Sequence, residues 1–311
     1  MNLTFDVIVI GSYTIDIIFS GLQEFPQLGK DILSTDLKIT PGEAFISAVC
    51  LHRLGLKVGW AADFGNDEFS LRALNCARDE GLKESLFVFH DRSFRRVSMA
   101  ASFPGDNGFI SYYDPDPKIP AALPALTKAH AKVLYIPGLY YGPLLNTGLK
   151  LARMKQMKLV MDGNSSAGDI HGNSRESRAI RKALRSMDVF LPNARETRRL
   201  TGEQNLETAI QHLGDLCPCV VVKDGSNGSI AYTQKNLFEA PGIPVSSIDT
   251  VGAGDNFNAG FLRAWMDNQP MQTCLQWGNI TGGLSTTELG GTTFKITEEL
   301  VRQALSKYYP A

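Results

Sequence analysis

The chain has no excess of charge of either sign: 31 Lys and Arg face 32 Asp and Glu, a formal net charge of -1 over 311 residues. A nucleic-acid backbone or an acidic membrane surface attracts a broad basic face, so neither is expected as a partner. Any anion site must be local, made of backbone and a few side chains. Cysteine is scarce and scattered. Cys50, Cys76, Cys217, Cys219 and Cys274 are odd in number and read as reduced thiols rather than a disulfide framework. The close pair Cys217-Pro218-Cys219 has neither the CxxC spacing nor the second cluster that a metal or redox site needs. No apolar run is long enough to cross a bilayer, and no secretory signal is visible, so the chain is expected in the cytoplasm. Repeats, low-complexity tracts and linkers are missing as well, so residues 1–311 are read as one α/β domain.

What is present is an ordinary globular composition, 43% hydrophobic and 20% charged, arranged as short apolar runs between helical patterns. Phe5 to Ile10, closed by Gly11, suits a buried parallel strand. A dinucleotide fold would need spaced glycines after it, and Gly11-Ser12-Tyr13-Thr14-Ile15-Asp16 lacks the second and third. Between residues 12 and 40 the pattern loosens into strands outside the core, with a strand expected from Ile32 through Ile39. Pro41-Gly42-Glu43 then opens a helix that ends at Gly55. Further on, Pro104-Gly105-Asp106-Asn107-Gly108 separates two strands as a hairpin turn. Residues 12–40 and 93–113 therefore form a flap interrupting an alternation of strands and helices, whose sheet is mostly parallel and covered on both faces.

The densest chemistry lies in Asp249-Thr250-Val251-Gly252-Ala253-Gly254-Asp255-Asn256-Phe257-Asn258-Ala259-Gly260. Gly252 and Gly254 permit a tight turn, and the first amides of the following helix lack intrahelical partners, so an anion is attracted there. Asp255 would sit at that positive end. On this stretch alone an N-cap aspartate and a general base taking a proton from an attacking hydroxyl stand level. Ligands of open parallel sheets bind beyond the carboxyl ends of the strands. Gly11 to Asp16, Asp162-Gly163-Asn164, Asn193 to Glu196 and Lys223-Asp224-Gly225 leave strands there. Each has a plain alternative: Asp16 as a surface turn residue, Asn193 as a helix cap, Gly225 and Gly228 as turn glycines.

The order of these segments resembles the PfkB (ribokinase-like) family of carbohydrate and nucleoside kinases. The Asp249 to Gly260 stretch matches that family's C-terminal signature, Asn193-x-x-Glu196 its NxxE element, and Lys223 to Gly228 its nucleotide-binding glycine turn. The resemblance implies a three-layer α/β/α fold with a small β-sheet lid built from residues 12–40 and 93–113. It further implies ATP as donor and a sugar-like hydroxyl as acceptor. In that reading Asp255 is the base, and Gly252, Ala253 and Gly254 form the anion hole. Asp16, Gly42 and Glu43 touch the acceptor, while Lys223, Gly225, Gly228 and Asn279 border the nucleotide. Asn193 and Glu196 organise Mg²⁺ and phosphates, Glu196 through water. A monovalent cation near Asp249 and a homodimer formed through the lid also follow from the resemblance.

The chain departs from the family at Pro41-Gly42-Glu43-Ala44-Phe45-Ile46, where two glycines and a later asparagine are usual. One glycine remains and Ile46 stands at the asparagine position, so either Glu43 replaces the lost contacts or the acceptor is not an ordinary sugar. Ser165, Ser166 and Ala167 follow Asp162 without a basic residue. For an anionic acceptor, Arg95, Arg96 and Lys118 are the candidate partners. The expected activity is phosphorylation of an alcohol group on a small carbohydrate. The alternatives are a nucleoside kinase, with Phe45, Phe94, Phe103 and Tyr113 offering an aromatic slot, and a catalytically weak nucleotide- or sugar-binding regulatory protein.

Overall fold

Short β-branched runs make the strands of this protein, and the longer amphipathic patterns between them make the helices. The computed structural model describes residues 3–24, 27–103, 106–164 and 168–310. It opens with β1 (Leu3–Ile10), β2 (Tyr13–Ser20), β3 (Asp36–Glu43), α1 (Ala44–Arg53), β4 (Val58–Ala61) and β5 (Asp63–Phe64). There follow α2 (Glu68–Asp79), β6 (Val88–Phe89), β7 (Arg96–Phe103) and β8 (Asp106–Tyr113). A regular alternation runs through α3 (Ala122–Lys128), β9 (Ala129–Ile136), α4 (Pro143–Met154), β10 (Lys158–Asp162), α5 (Arg175–Leu184) and β11 (Val189–Leu191). After α6 (Ala194–Thr201) and α7 (Leu206–Gly214) come β12 (Cys219–Lys223), β13 (Ser229–Thr233) and β14 (Asn236–Ala240). Three helices close the described chain: α8 (Ala253–Met266), α9 (Met271–Ser285) and α10 (Glu298–Tyr308).

The main sheet has eight strands in the order β14-β13-β12-β11-β10-β9-β1-β4. It is parallel from β4 to β12, and β13 and β14 are antiparallel. Residues alternate between two apolar layers along each strand. Val7, Val9, Tyr135 and Val221 pack on the α1, α8 and α9 side, while Ile8, Leu134, Met161 and Val222 pack on the α4 to α7 side. Burial on both faces is why the strands read as continuous apolar runs. The order reverses at β1, which is flanked by β4 on one side and β9 on the other, so a crevice opens beyond the carboxyl ends there.

A second sheet, β3-β2-β7-β8, stands apart from the first. It comprises residues 13–20, 36–43, 96–103 and 106–113, the two segments expected to interrupt the alternation. The turn residues Pro104 and Gly105 lie outside the described residues, as do Ser165, Ser166 and Ala167. No helix among the described residues is long and apolar enough to cross a membrane.

Two local expectations are corrected. Pro41, Gly42 and Glu43 do not open a helix; they close β3, pairing with Ile15, Thr14 and Tyr13, and α1 starts at Ala44. The strand expected from Ile32 begins at Asp36 instead. Val88 and Phe89 pair with Asp63 and Phe64 in a separate two-stranded sheet. The helix α3 was not expected; its sequence Ala-Leu-Pro-Ala-Leu-Thr-Lys is short and carries an interior proline. Its start is held by the Ala121 amide donating to buried Asp63 Oδ2 at 2.9 Å.

Candidate active site

The loop before α8 is set by one αL residue. Gly252 has φ 75°, and a Cβ there would lie 2.8 Å from Gly291 Cα and 2.9 Å from Ile46 Cδ1. No side chain fits, so the glycine is required both for its dihedral and for the close approach of α1. Asp249 braces the same loop. Its Oδ1 accepts from the Val251 amide at 3.1 Å and its Oδ2 from the Gly290 amide at 2.9 Å. Asn256 adds a lock, donating to the carbonyls of Gly252 and Gly291 at 2.9 and 2.8 Å.

This geometry settles the cap question. The N-cap of α8 is Gly252, with no side-chain cap, and Asp255 lies within the first turn. The expected anion hole changes in one member. The Ala253 amide donates to the Thr250 carbonyl at 3.2 Å, whereas the amides of Gly252, Gly254 and Asp255 donate to no group among the described residues. The tight turn that lets α8 begin uses the Ala253 amide for itself, so that amide is not an open donor.

Asp255 accepts from Ser47 Oγ at 2.6 Å. Burial and, after it, the nearby Asp162 charge raise its pKa to about 7, against the Ser47 hydrogen bond and the Lys223 charge. A carboxylate poised near neutrality suits proton abstraction. Lys223 points into the same place rather than along the glycine turn. Its Nζ donates to Asp162 Oδ1 at 2.6 Å and Asn258 Oδ1 at 3.2 Å, and lies 3.6 Å from where a Cβ on Gly254 would be. Asn258 in turn donates to the Tyr135 hydroxyl at 2.9 Å. A positive side chain therefore sits under the N-terminus of α8, oriented by a buried chain of hydrogen bonds.

Asn193 and Glu196 form a capping box on α6: Glu196 N donates to Asn193 Oδ1 and Asn193 N to Glu196 Oε2, both at 2.8 Å. The plain reading of Asn193 therefore holds, without excluding a ligand. The Glu196 pKa is raised by burial and by the neighbouring Asp162 charge. Of the two turn glycines, Gly225 (φ 56°) has open space where a Cβ would be, whereas a Cβ on Gly228 would lie 2.1 Å from the Ala240 carbonyl oxygen. Gly228 thus serves packing and Gly225 faces outward. Asn279 donates to the carbonyls of Ala240 and Pro241 at 3.0 Å, fixing the loop against which that turn packs.

The residues expected to touch the acceptor gather beyond β1. Asp16 is buried and accepts from Thr14 Oγ1 at 2.7 Å, with its pKa raised to about 7 by burial and by the Glu43 and Asp249 charges. A Cβ on Gly42 would lie 2.0 Å from Asp16 Oδ2, so the retained glycine is what lets Asp16 reach its place. Glu43 adopts φ 53°, ψ -133°, a strained conformation for a side-chain-bearing residue. It accepts from the Tyr113 hydroxyl at 3.1 Å and faces Arg96 at 3.6 Å. Arg96 also pairs with Asp116 at 3.1 Å, donates to the Tyr13 carbonyl, and stacks on the Tyr113 ring at 4.3 Å. Arg95 pairs with Asp114, and Lys118 is exposed. Ile46 does not replace an asparagine chemically; it fills the space against Gly252 and Gly291. Phe45 and Phe94 are buried in the core and offer no slot.

Sequence reasoning missed Ser47, Tyr135 and Asn258 as site residues. Ser47 adjoins the irregular motif, but nothing in spacing reveals that α1 and α8 cross so that its hydroxyl meets Asp255.

The sequence pattern of pfkB family carbohydrate kinases matches residues 5–298. Ribokinase of Bacillus subtilis is 24% identical over 309 residues, 97% of this chain and 99% of that one. The ATP-dependent ribose-1-phosphate kinase of Halopiger xanaduensis is 34% identical over 106 residues, covering 33% of this chain and 34% of that one. Among solved structures, Arabidopsis thaliana ribokinase complexed with ribose and ATP has a TM-score of 0.79 at 21% identity, with 97% and 99% of the two chains covered.

Proposed function

The chain belongs to the pfkB family of carbohydrate kinases, and from that premise we propose that it transfers the γ-phosphoryl group of ATP to a hydroxyl of a small, uncharged carbohydrate. One observation carries the reading: Asp255, with a pKa raised to about 7, sits beside the open amides of Gly252 and Gly254 and near the Lys223 ammonium. A base and an anion site a few ångströms apart suit in-line phosphoryl transfer, which needs positioning and charge stabilisation more than covalent chemistry. Asp255 takes the acceptor proton, the amides hold the transferring phosphoryl oxygens, and Lys223 offsets their charge. Asp16 and Glu43 orient the acceptor hydroxyls.

Gly225 and the loop held by Asn279 border the nucleotide. Among the described residues no group of three or more His, Cys, Asp or Glu is placed to hold a metal ion. Mg²⁺ does not need such a cage, since it keeps several waters and takes one or two carboxylates plus substrate phosphates. Asp162 and Glu196, close enough to raise the Glu196 pKa, fit that role, and the ion would supply charge neutralisation at the phosphates. A monovalent cation beside Asp249 belongs to the same proposal, tested by exchanging K⁺ for a large organic cation in the assay. The second sheet acts as a lid, and its exposed Leu37, Ile39, Phe109 and Ile110 favour a dimer through it, tested by sedimentation.

An uncharged acceptor is favoured because, among the described residues, Arg95 and Arg96 are both already paired with carboxylates. Arg96 faces both Glu43 and Asp116, and Asp16, Glu43 and Asp255 would repel a carboxylate or phosphate. ATP consumption across neutral sugars, sugar acids, sugar phosphates and nucleosides tests the reading. Turnover of neutral sugars is expected, and preference for a sugar acid or phosphate would overturn the choice of acceptor class.

A further inference from the structure

Where the strand order reverses, the carboxyl ends of β1, β4 and β9 open on the α3–α4 side into a cavity of about 490 Å³. That is the size of a small-molecule site. Its walls are apolar, with Ile10, Ala122, Leu126, Leu139, Leu145 and Leu149 prominent among them. Nothing in the phosphoryl-transfer chemistry above uses this space.

The cavity borders the proposed acceptor residues through Arg96. Arg96, which faces Glu43, is one of its lining residues, as are Gly11, Ser12 and Tyr140. A Cβ on Gly11 would lie 3.2 Å from Ala44 Cβ and 3.6 Å from the Tyr140 hydroxyl. Ala44 is the first residue of α1, and Ser47, one turn further on, bonds the base Asp255. That border is therefore about one helical turn, roughly 5 Å, from the catalytic end of α1.

A glycine beside this space lets α4 pack closely on α3. Gly148 lies in the middle of α4 and lines the cavity, a position where glycine weakens a helix relative to alanine. A Cβ there would lie 3.3 Å from Leu126 Cδ1 and 3.8 Å from Leu123 Cδ2, so a larger side chain would press on α3 and reshape the cavity wall. Apolar surface is also left exposed near the entrance, where Tyr140, Tyr141 and Leu144 are 44%, 41% and 53% exposed. Arg96 and Asp116 pair with each other in its lining, and Asp63, the other charged lining residue, is bonded by His90 and by the Ala121 amide.

We propose that the acceptor is amphiphilic, a neutral polyol end held before Asp255 and an apolar arm lying in this cavity. The inference rests on the kinase reading for the polyol end, while the arm site stands on the cavity alone. Matched methyl and hexyl derivatives of neutral pentoses and hexoses, substituted at C1 or at the terminal carbon, test it. Calorimetry without ATP reads the arm site, and ATP turnover reads transfer. Each buried methylene is worth about fourfold in affinity, so the best hexyl derivative should bind at least about tenfold more tightly than its methyl partner. Gly148→Leu and, independently, Ala122→Phe should abolish that preference while leaving KM for the methyl derivative within about twofold. Equal binding of every methyl and hexyl pair would overturn the inference, as would filled variants that weaken both partners alike. So would a hexyl derivative that alters turnover of a methyl sugar without itself being phosphorylated, which would make the cavity a separate regulatory site. Hexyl-selective binding without phosphoryl transfer of any sugar would uphold the arm site and overturn the kinase reading.

Discussion

The two halves of the candidate site are built by different means. The phosphoryl half is backbone: an αL glycine, open amides at a helix N-terminus, and a loop tied by Asp249 and Asn256. The acceptor half is side chain: Asp16, a strained Glu43, Arg96 and Tyr113, drawn from strands of the second sheet and its junction with α1. Backbone geometry constrains the sequence tightly, because few residues adopt φ near 75° or tolerate a neighbour at 2.8 Å. Side-chain recognition is free to change with the ligand. In the proposed reading, the half with the irregular motif at Pro41 to Ile46 is accordingly the one that selects the acceptor.

That division can be broken by substitution. The largest effect is expected for Asp255→Asn, which should lower kcat by about 10²–10⁴-fold with ATP affinity retained in calorimetry. Near wild-type turnover would remove the base from the phosphoryl half. Gly42→Ala comes next. The added methyl displaces Asp16, so acceptor KM should rise by about tenfold or more while ATP KM stays put; an equal change in both would merge the two halves. Ser47→Ala should cost only about three- to tenfold in kcat. Its hydroxyl lowers the Asp255 pKa, so the rise of kcat/KM with pH, expected to level off above about 7, should move to higher pH in this variant. An unmoved profile would show that Ser47 only packs.

The smaller effects are on stability. Glu43→Gly should relieve backbone strain and stabilise the fold by about 1 kcal/mol in denaturant titration, while weakening acceptor binding. If acceptor binding were unchanged, the strain would have no recognition role. The raised Asp255 pKa also has a thermal signature. The unfolded carboxyl ionises near 3.8 and the folded one near 7, so between these values unfolding releases a proton. Stability attributable to this group is therefore full below pH 4 and lost as pH rises through 7. The Tm of Asp255→Asn should fall less across that window than the parent's.

Much of this was legible in the chain. The strand–helix alternation and the two segments that leave it follow from periodicity, because such patterns report local geometry, whereas the roles expected for Asp255, Gly252 and Gly254 came from the family resemblance. Less legible were Ser47, Tyr135 and Asn258, which are ordinary core-pattern residues until α1, β9 and α8 are packed together. Lys223 was placed in the right segment for an incomplete reason: it ends β12 beside the glycine turn, yet its ammonium turns back to Asp162. That the Ala253 amide is taken by the Thr250 carbonyl was not legible, because such a turn hydrogen bond cannot be counted from residue types.

The amino-acid sequence alone determined a doubly covered parallel sheet and a carboxylate at a glycine-led helix start, since both depend on near neighbours in the chain. Tertiary structure decided what meets that carboxylate. Only packing brings Ser47 to Asp255 from 208 positions away, and Asp16 against Gly42 across paired strands. It also left the cavity beside Tyr140, because empty space is a property of how helices sit on a sheet and has no residue of its own.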